Sequence, residues 1–235
     1  GQTFYLNPGN YDDEFKVIEE ILEEKTELTD ALNILAPIID DRPTNIRALH
    51  LNAQTYVALE NFSKALAVYE KVIELNPTNS LYLIEKAICY AKLEDLEKAL
   101  EDYNKAVEVD PKNSYNYEMR GDFYQNYLKD YEKALADYNT GIELNPTDSD
   151  LHFRKAYVYN DYLDKPALAL ESYLEVARLN PEYQNVNNNI ALIYENYIKD
   201  YQKALEYYTK AVEVDPSYSS AYRNRADLYA SQLED

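Results

Sequence analysis

Proline punctuates this chain at a fixed interval. Arg42-Pro43, Asn76-Pro77, Asp110-Pro111, Asn145-Pro146, Asn180-Pro181 and Asp215-Pro216 recur every 34 or 35 residues, with Asn7-Pro8 one period upstream. Proline cannot continue a helix from behind, and it biases the residue before it away from helical geometry. Each interval therefore holds two helices and two tight turns. A chain built this way is a series of small units, none of which can bury a core alone.

What fills each interval repeats as well. The segment YEKALADYNTGIELNP at 131–146 returns as YQKALEYYTKAVEVDP at 201–216. First helices place Tyr56, Tyr90, Tyr124, Tyr159, Tyr194 and Tyr229 at one offset, three residues after Ala53, Ala87, Gly121, Ala156, Ala191 and Ala226. Second helices carry Ala31, Ala65, Ala99, Ala134, Ala169 and Ala204, followed four residues on by Leu35, Tyr69, Tyr103, Tyr138, Tyr173 and Tyr208. A further three residues on stand Ile38, Val72, Ala106, Gly141, Val176 and Ala211. Spacings of three and four put each set on one helical stripe. A small residue makes a hole, and a tyrosine ring of the neighbouring helix fills it while its hydroxyl finds a partner. This packing role accounts for much of the count of 26 tyrosines without any catalytic use.

The pattern Tyr117-x-x-Arg120-Gly121-x-x-Tyr124, Ala134-x-x-x-Tyr138, Pro146 resembles the tetratricopeptide repeat. The resemblance implies an all-α fold: a right-handed superhelical solenoid of six helix–turn–helix units, at 11–43, 46–77, 80–111, 114–146, 149–181 and 184–216. Residues 1–10 are an N-terminal extension, 11–235 a single repeat domain, and 219–233 a capping helix or else the first half of a seventh unit. Ala221, Tyr222, Ala226 and Tyr229 are its expected packing face. Units four to six carry one extra residue between their helices (NYLKDY, DYLDKP, NYIKDY), expected to lengthen the turn. The first unit is degenerate: Ile18 and Ile21 replace the small residue and the tyrosine, and Pro37 is expected to interrupt and kink its second helix.

The resemblance also implies a concave groove lined by first helices, in which an extended peptide or a single helix of another protein lies. Residues off the packing stripe are its expected lining: His50 and Gln54, Ile84 and Ile88, Glu118 and Asp122, Phe153 and Tyr157, Asn188 and Leu192, Arg223 and Asp227. That order of chemistries suits a partner with apolar anchors and a basic residue near Glu118 and Asp122. The competing reading is that Ile84, Ile88, Phe153 and Tyr157 only pack between first helices. Family members that bind acidic chaperone tails use a lysine, asparagine and arginine clamp. His50, Gln54, Ile84, Glu85, Glu118 and Asp122 at the corresponding sites disfavour such a ligand.

A formal charge of −20 repels nucleic-acid phosphates and anionic lipid headgroups, and no basic run offsets it. Protein or peptide partners are expected, with no nucleic acid and no membrane insertion. Four glycines, none clustered, disfavour a phosphate-cradling loop. Cys89 is the single cysteine, so neither an internal disulfide nor a cysteine metal site is expected. His50 and His152 lie three units apart, with no serine or cysteine constellation near either. Glu118 and Asp122 share a helix face, a common arrangement of solvated carboxylates. No catalytic residue, cofactor or metal is therefore expected. The leading function is a non-catalytic scaffold or adaptor. The alternatives are a self-associating solenoid, homo-oligomeric through its first unit or last helix, and more remotely an enzyme or small-molecule binder. A start at Gly1-Gln2 without methionine suits a trimmed N-terminus, hence an exported, periplasmic bacterial protein, with a cytoplasmic one as the alternative.

Overall fold

A computed structural model describes residues 11–233; the expected N-terminal extension at 1–10 lies outside the described residues. The described residues form thirteen α-helices and no strand. Six antiparallel pairs come first: α1 (Asp12–Glu24) with α2 (Leu28–Asp41), α3 (Ile46–Ala58) with α4 (Phe62–Leu75), and α5 (Ser80–Lys92) with α6 (Leu96–Val109). They continue as α7 (Ser114–Phe123) with α8 (Tyr131–Leu144), α9 (Ser149–Tyr157) with α10 (Pro166–Leu179), and α11 (Val186–Ile193) with α12 (Tyr201–Val214); α13 (Ser219–Leu228) follows. The fold is thus all-α and repetitive. The chain divides into two compact units, Gly1–Arg120 and Gly121–Asp235, with the division inside α7.

Local chemistry sets the helix boundaries. Side chains of Asn45, Asn61, Asp95, Asp130 and Asp200 each accept a hydrogen bond from the backbone N–H three residues on, satisfying an amide that no helical carbonyl can reach. The prolines then stop each second helix. Between the helices of a pair, Glu60, Glu94, Lys129, Asp164 and Lys199 take left-handed backbone conformations, with φ between 49° and 62°. The turns are that tight.

The stripes pack as the spacing predicts. Ala53, Ala87, Ala156 and Ala191 are fully buried, and so are the rings of Tyr138 and Tyr208 opposite Gly121 and Ala191 in their units. At Gly121 the approach is close: a β-carbon there would stand 2.7 Å from Tyr138 Cε1 and 2.9 Å from Cδ1. Gly121→Ala therefore meets overpacking of roughly 1–3 kcal/mol, offset by about 1 kcal/mol of helix propensity. Four other units hold alanine at this offset, so the helix pair can relax by a few tenths of an ångström. A net loss of about 1 kcal/mol in a urea titration is the expected result.

One recurring contact is not visible in the stripes. Lys64, Lys98, Lys133 and Lys203, each just before the second-helix alanine, lie 5.3–5.7 Å from the ring centroids of Tyr56, Tyr90, Tyr124 and Tyr194. The lysine of KAL and the first-helix tyrosine thus form a cation–π pair within their own unit, worth about 0.5–1 kcal/mol at such exposed sites. In the fifth unit Leu168 takes the lysine's place and is exposed.

Three expectations need correction. The extra residue of units four to six does not lengthen the loop. It is absorbed into the end of the first helix as a wide π turn, at Tyr124–Leu128, Val158–Tyr162 and Tyr194–Ile198. Pro37 does not interrupt α2, which runs unbroken from Leu28 to Asp41, because losing one N–H costs less than unpacking Leu35 and Ile38, both fully buried. On α13, Ala221 and Leu228 are buried, whereas Tyr222 and Ala226 are exposed, and so is Tyr229 at the start of the π turn that follows at Tyr229–Leu233. They occupy the side that a unit's own second helix covers elsewhere.

Lys86, Arg120 and Lys155 share one offset of the first helices, and Asp102 and Asp137 one offset of the second, a pattern that fits an ion pair within or between repeats; it forms inside one repeat, Lys86 Nζ on α5 lying 3.5 Å from Asp102 Oδ1 on α6. Burial holds the Asp102 carboxyl above the usual range despite the lysine. Cys89 is fully buried and its thiol is pushed up to about 12, first by burial and then by the Glu85 carboxylate, which makes it inert at neutral pH.

Candidate protein-interaction groove

A groove of about 950 Å³ lies within the first compact unit, between α1, α3 and α5, with Phe62 and Tyr69 of α4 reaching into it. Its apolar lining includes Leu22, Leu51, Val57, Phe62 and Ile88. The sequence places these side chains here because a first helix uses one stripe to pack on its own second helix. The residues between those contacts are left facing the neighbouring first helices.

A carboxylate sits at the polar centre. Glu85 Oε2 is 2.6 Å from His50 Nε2, and Gln54 Nε2 donates to Glu85 Oε1 at 3.5 Å. The Tyr69 hydroxyl also bonds Glu85; burial, reinforced by that carboxylate, keeps it protonated, so it donates. The His50 ring is held edge-on against Tyr82, with centroids 4.9 Å apart. At one end of the groove, Arg47 of α3 donates to Glu19 at 2.9 Å and to Asp12 at 3.3 Å, tying the degenerate first unit to the second. Its guanidinium covers the Phe15 ring at 4.9 Å.

Of the twelve residues expected to line a groove, His50, Gln54 and Ile88 come together here. Ile84 does not face solvent at all: it is fully buried between helices, as the competing packing reading had it. Asn188 is also buried, and its Oδ1 accepts from Asn224 Nδ2 of α13 at 3.2 Å. Both expectations fail for one reason. The stripe that packs neighbouring first helices is wider than two residues per turn.

In the second compact unit, Asp122 is committed internally. It accepts from Tyr138 at 2.7 Å and from Arg154 Nε at 2.9 Å, so it is not the waiting carboxylate that a basic partner was expected to meet. Glu118 is half-buried and has a partner of its own. Phe153 stacks on Tyr183 at 5.0 Å and meets Tyr173 edge-on at 5.4 Å. Tyr157 meets Tyr162 edge-on at 5.7 Å; the Tyr162 hydrogen bond, then burial, raises the Tyr157 hydroxyl. Leu192 is half-buried, while Arg223 and Asp227 are exposed.

Leu22, Val57 and Phe62 were absent from the expected lining. Leu22 follows the degenerate Ile21, where the repeat offers no template. Val57 and Phe62 flank the tight turn after α3, and only the turn's direction brings them inward.

Sequence models of the tetratricopeptide repeat match residues 22–83, 81–113, 115–148 and 185–218. The chain belongs to the tetratricopeptide repeat family. Repeats of this family are interaction modules, so the protein is, in general terms, a protein–protein interaction scaffold.

Solved structures share this tetratricopeptide repeat fold. YrrB, described as a TPR protein with an unusual peptide-binding site, is 21% identical, covers 82% of this chain and 97% of its own, and superposes with a TM-score of 0.59. PilF of Pseudomonas aeruginosa, also 21% identical, covers 79% and 87%, with a TM-score of 0.64. MamA is 21% identical over 72% of this chain and 96% of its own, with a TM-score of 0.61. At these identities the likeness shows the fold. No curated protein matches the chain by sequence. Among the described residues, no helix is long and apolar enough to cross a membrane.

Proposed function

We propose that the protein is a non-catalytic adaptor whose first compact unit binds a peptide segment of another protein in the groove between α1, α3 and α5. The observation that carries this reading is the groove itself, with an apolar lining around one carboxylate already surrounded by directed donors. Such a surface selects an apolar anchor, for Leu22, Val57 and Ile88, beside a group that competes for Glu85. A lysine or arginine is the natural competitor, because a charge-assisted bond to a carboxylate is about twice as strong as a neutral one. The excess of acidic residues favours the same choice.

The test is panning of the full chain against a random-peptide display library, followed by fluorescence anisotropy of the selected peptides. Ile88→Asp places a charge against the anchor and is expected to weaken binding at least about tenfold, or 1.4 kcal/mol. Glu85→Gln should select against peptides that carry a basic residue. Unchanged affinity in a folded Ile88→Asp variant, or no selected peptide above background, overturns the proposal.

A further inference from the structure

One offset of the first helices carries a bulky side chain on five of them and a short amide on α11. Four residues before the small residue of the packing stripe stand Leu49, Leu83, Tyr117, His152 and Tyr222, but Asn187 on α11. Leu49 and Leu83 are buried at this place. Tyr117 and His152 reach back to the proline before their own helix. The Tyr117 hydroxyl donates to the Pro111 carbonyl at 2.9 Å, and His152 Nε2 donates to that of Pro146 at 2.9 Å. Asn187 is too short to copy this bond, and the Pro181 carbonyl accepts from no described residue.

Where a ring would stand, a crevice of about 590 Å³ opens within the second compact unit, between α10 and α12. Pro181 and Asn187 line it, with Leu174 and Ala177 of α10 on one side and Tyr207 and Val214 of α12 on the other. A smaller cavity of about 230 Å³ adjoins it and shares Glu182, Asn187 and Val214. Asn187 is only 5% exposed, yet no described residue hydrogen-bonds its side-chain amide. Buried amides are normally paired, and this one borders both cavities. The rim is biased in charge. Arg178 is held by Glu175 at 2.9 Å and Lys210 by Glu206 at 3.0 Å. Glu182 and Glu213 form no salt bridge with a described residue, Glu213 exerting only a minor pull on Lys210.

We propose that this crevice binds an extended segment of another protein through a tyrosine flanked by a basic residue. The tyrosine ring fills the space beside Asn187, and its hydroxyl donates to the Pro181 carbonyl as Tyr117 donates to Pro111. The Asn187 amide, with donors on one side and an acceptor on the other, pairs with a peptide group of the segment. A lysine or arginine beside the tyrosine meets Glu182 or Glu213. Two joined cavities make the site longer than one side chain, which suits a segment of polypeptide rather than a small molecule. The crevice lies within the second compact unit, and neither this proposal nor that for the groove of the first unit depends on the other.

The probe is the synthetic peptide acetyl-AKYKA-amide, titrated into the isotope-labelled full chain. Saturable NMR shifts of the Asn187 side-chain amide are expected. Calorimetry should give an affinity about fivefold weaker with phenylalanine in place of the peptide tyrosine, which keeps the ring and loses the donor. Asn187→Tyr fills the crevice from within, so it should raise the melting temperature by about 2–4 °C and abolish binding. Ile88→Asp, aimed at the groove of the first unit, should leave binding unchanged. No saturable shift overturns the proposal, and so does an Asn187→Tyr variant with no gain in melting temperature. Equal shifts with acetyl-AKAKA-amide overturn it by showing that charge alone attracts the peptide. Tyramine binding as tightly as the peptide, or shifts with protein concentration alone, also overturn it, making the occupant a small cationic phenol or a second copy of this chain.

Discussion

Tyr138→Ala is expected to cost about 3–5 kcal/mol of stability, the largest effect of any single truncation considered for this protein. The ring is completely buried and stands so close to Gly121 that a β-carbon there would lie 2.7 Å from it. Removing it leaves a cavity that α7 and α8 cannot close, because Gly121 offers no atoms to fill it. The hydroxyl adds a smaller term. It donates to Asp122 at 2.7 Å and lies 2.9 Å from Gln125 Oε1. A hydroxyl has one proton, so with Asp122 receiving it the other contact is satisfied when the Gln125 amide turns its NH2 inward. Tyr138→Phe keeps the ring and leaves Asp122 its bond from Arg154, so about 1 kcal/mol is lost. Denaturant titrations of the two variants separate ring from hydroxyl. Equal losses would mean that the polar network, not the filled hole, holds this unit.

The second large effect is electrostatic and depends on pH. Lys86→Met leaves Asp102 buried, with a side chain 9% exposed, one oxygen already without a partner and its paired ammonium gone, so that only the weaker attraction of Lys105 remains. Breaking a buried pair from one side costs about 3–5 kcal/mol, so a loss near the lower end is expected at neutral pH. The sign of the pH dependence follows from burial. The folded-state pKa of Asp102 lies above its unfolded value even with the lysine present. The ionised carboxylate therefore lowers stability above that pKa, and the penalty fades as pH falls through it. Without Lys86 the pKa rises further, so the deficit of the variant should be largest near pH 7 and shrink by about pH 4. Replacing both residues, as Lys86→Met with Asp102→Leu, removes the charge with its partner and should return stability to within about 1 kcal/mol of the parent. A deficit that does not change with pH would show that Lys86 acts through packing on Tyr90 instead, its ammonium lying 5.7 Å from that ring's centroid.

These two sites show how far the repeat pattern reads. Tyr138 was placed by spacing alone, since an aromatic four residues after an alanine, facing a glycine of the preceding helix, has one way to bury itself. Lys86 and Asp102 were recognisable as a pair, but whether they join within or between repeats was open. The structure places both in one unit because α5 and α6 are antiparallel neighbours across a tight turn. The groove was harder. His50, Gln54 and Ile88 were legible from the helix face they share, but Leu22, Val57 and Phe62 depend on how the degenerate first unit and the α3–α4 turn are directed.

The amino-acid sequence by itself determined the class of fold, the length of the repeat, the helix ends and the small-for-tyrosine packing code. Each of these rests on contacts between residues close in the chain or at a fixed repeat offset, which periodicity encodes. Tertiary structure alone decided that an inserted residue becomes a π turn, that Pro37 leaves α2 unbroken, that Ile84 and Asn188 are buried, and that Ala226 and Tyr229 stand open. Those outcomes turn on which neighbour lies against a helix face. A pattern that repeats identically from unit to unit cannot specify that neighbour where the repeat degenerates at the first unit or reaches α13.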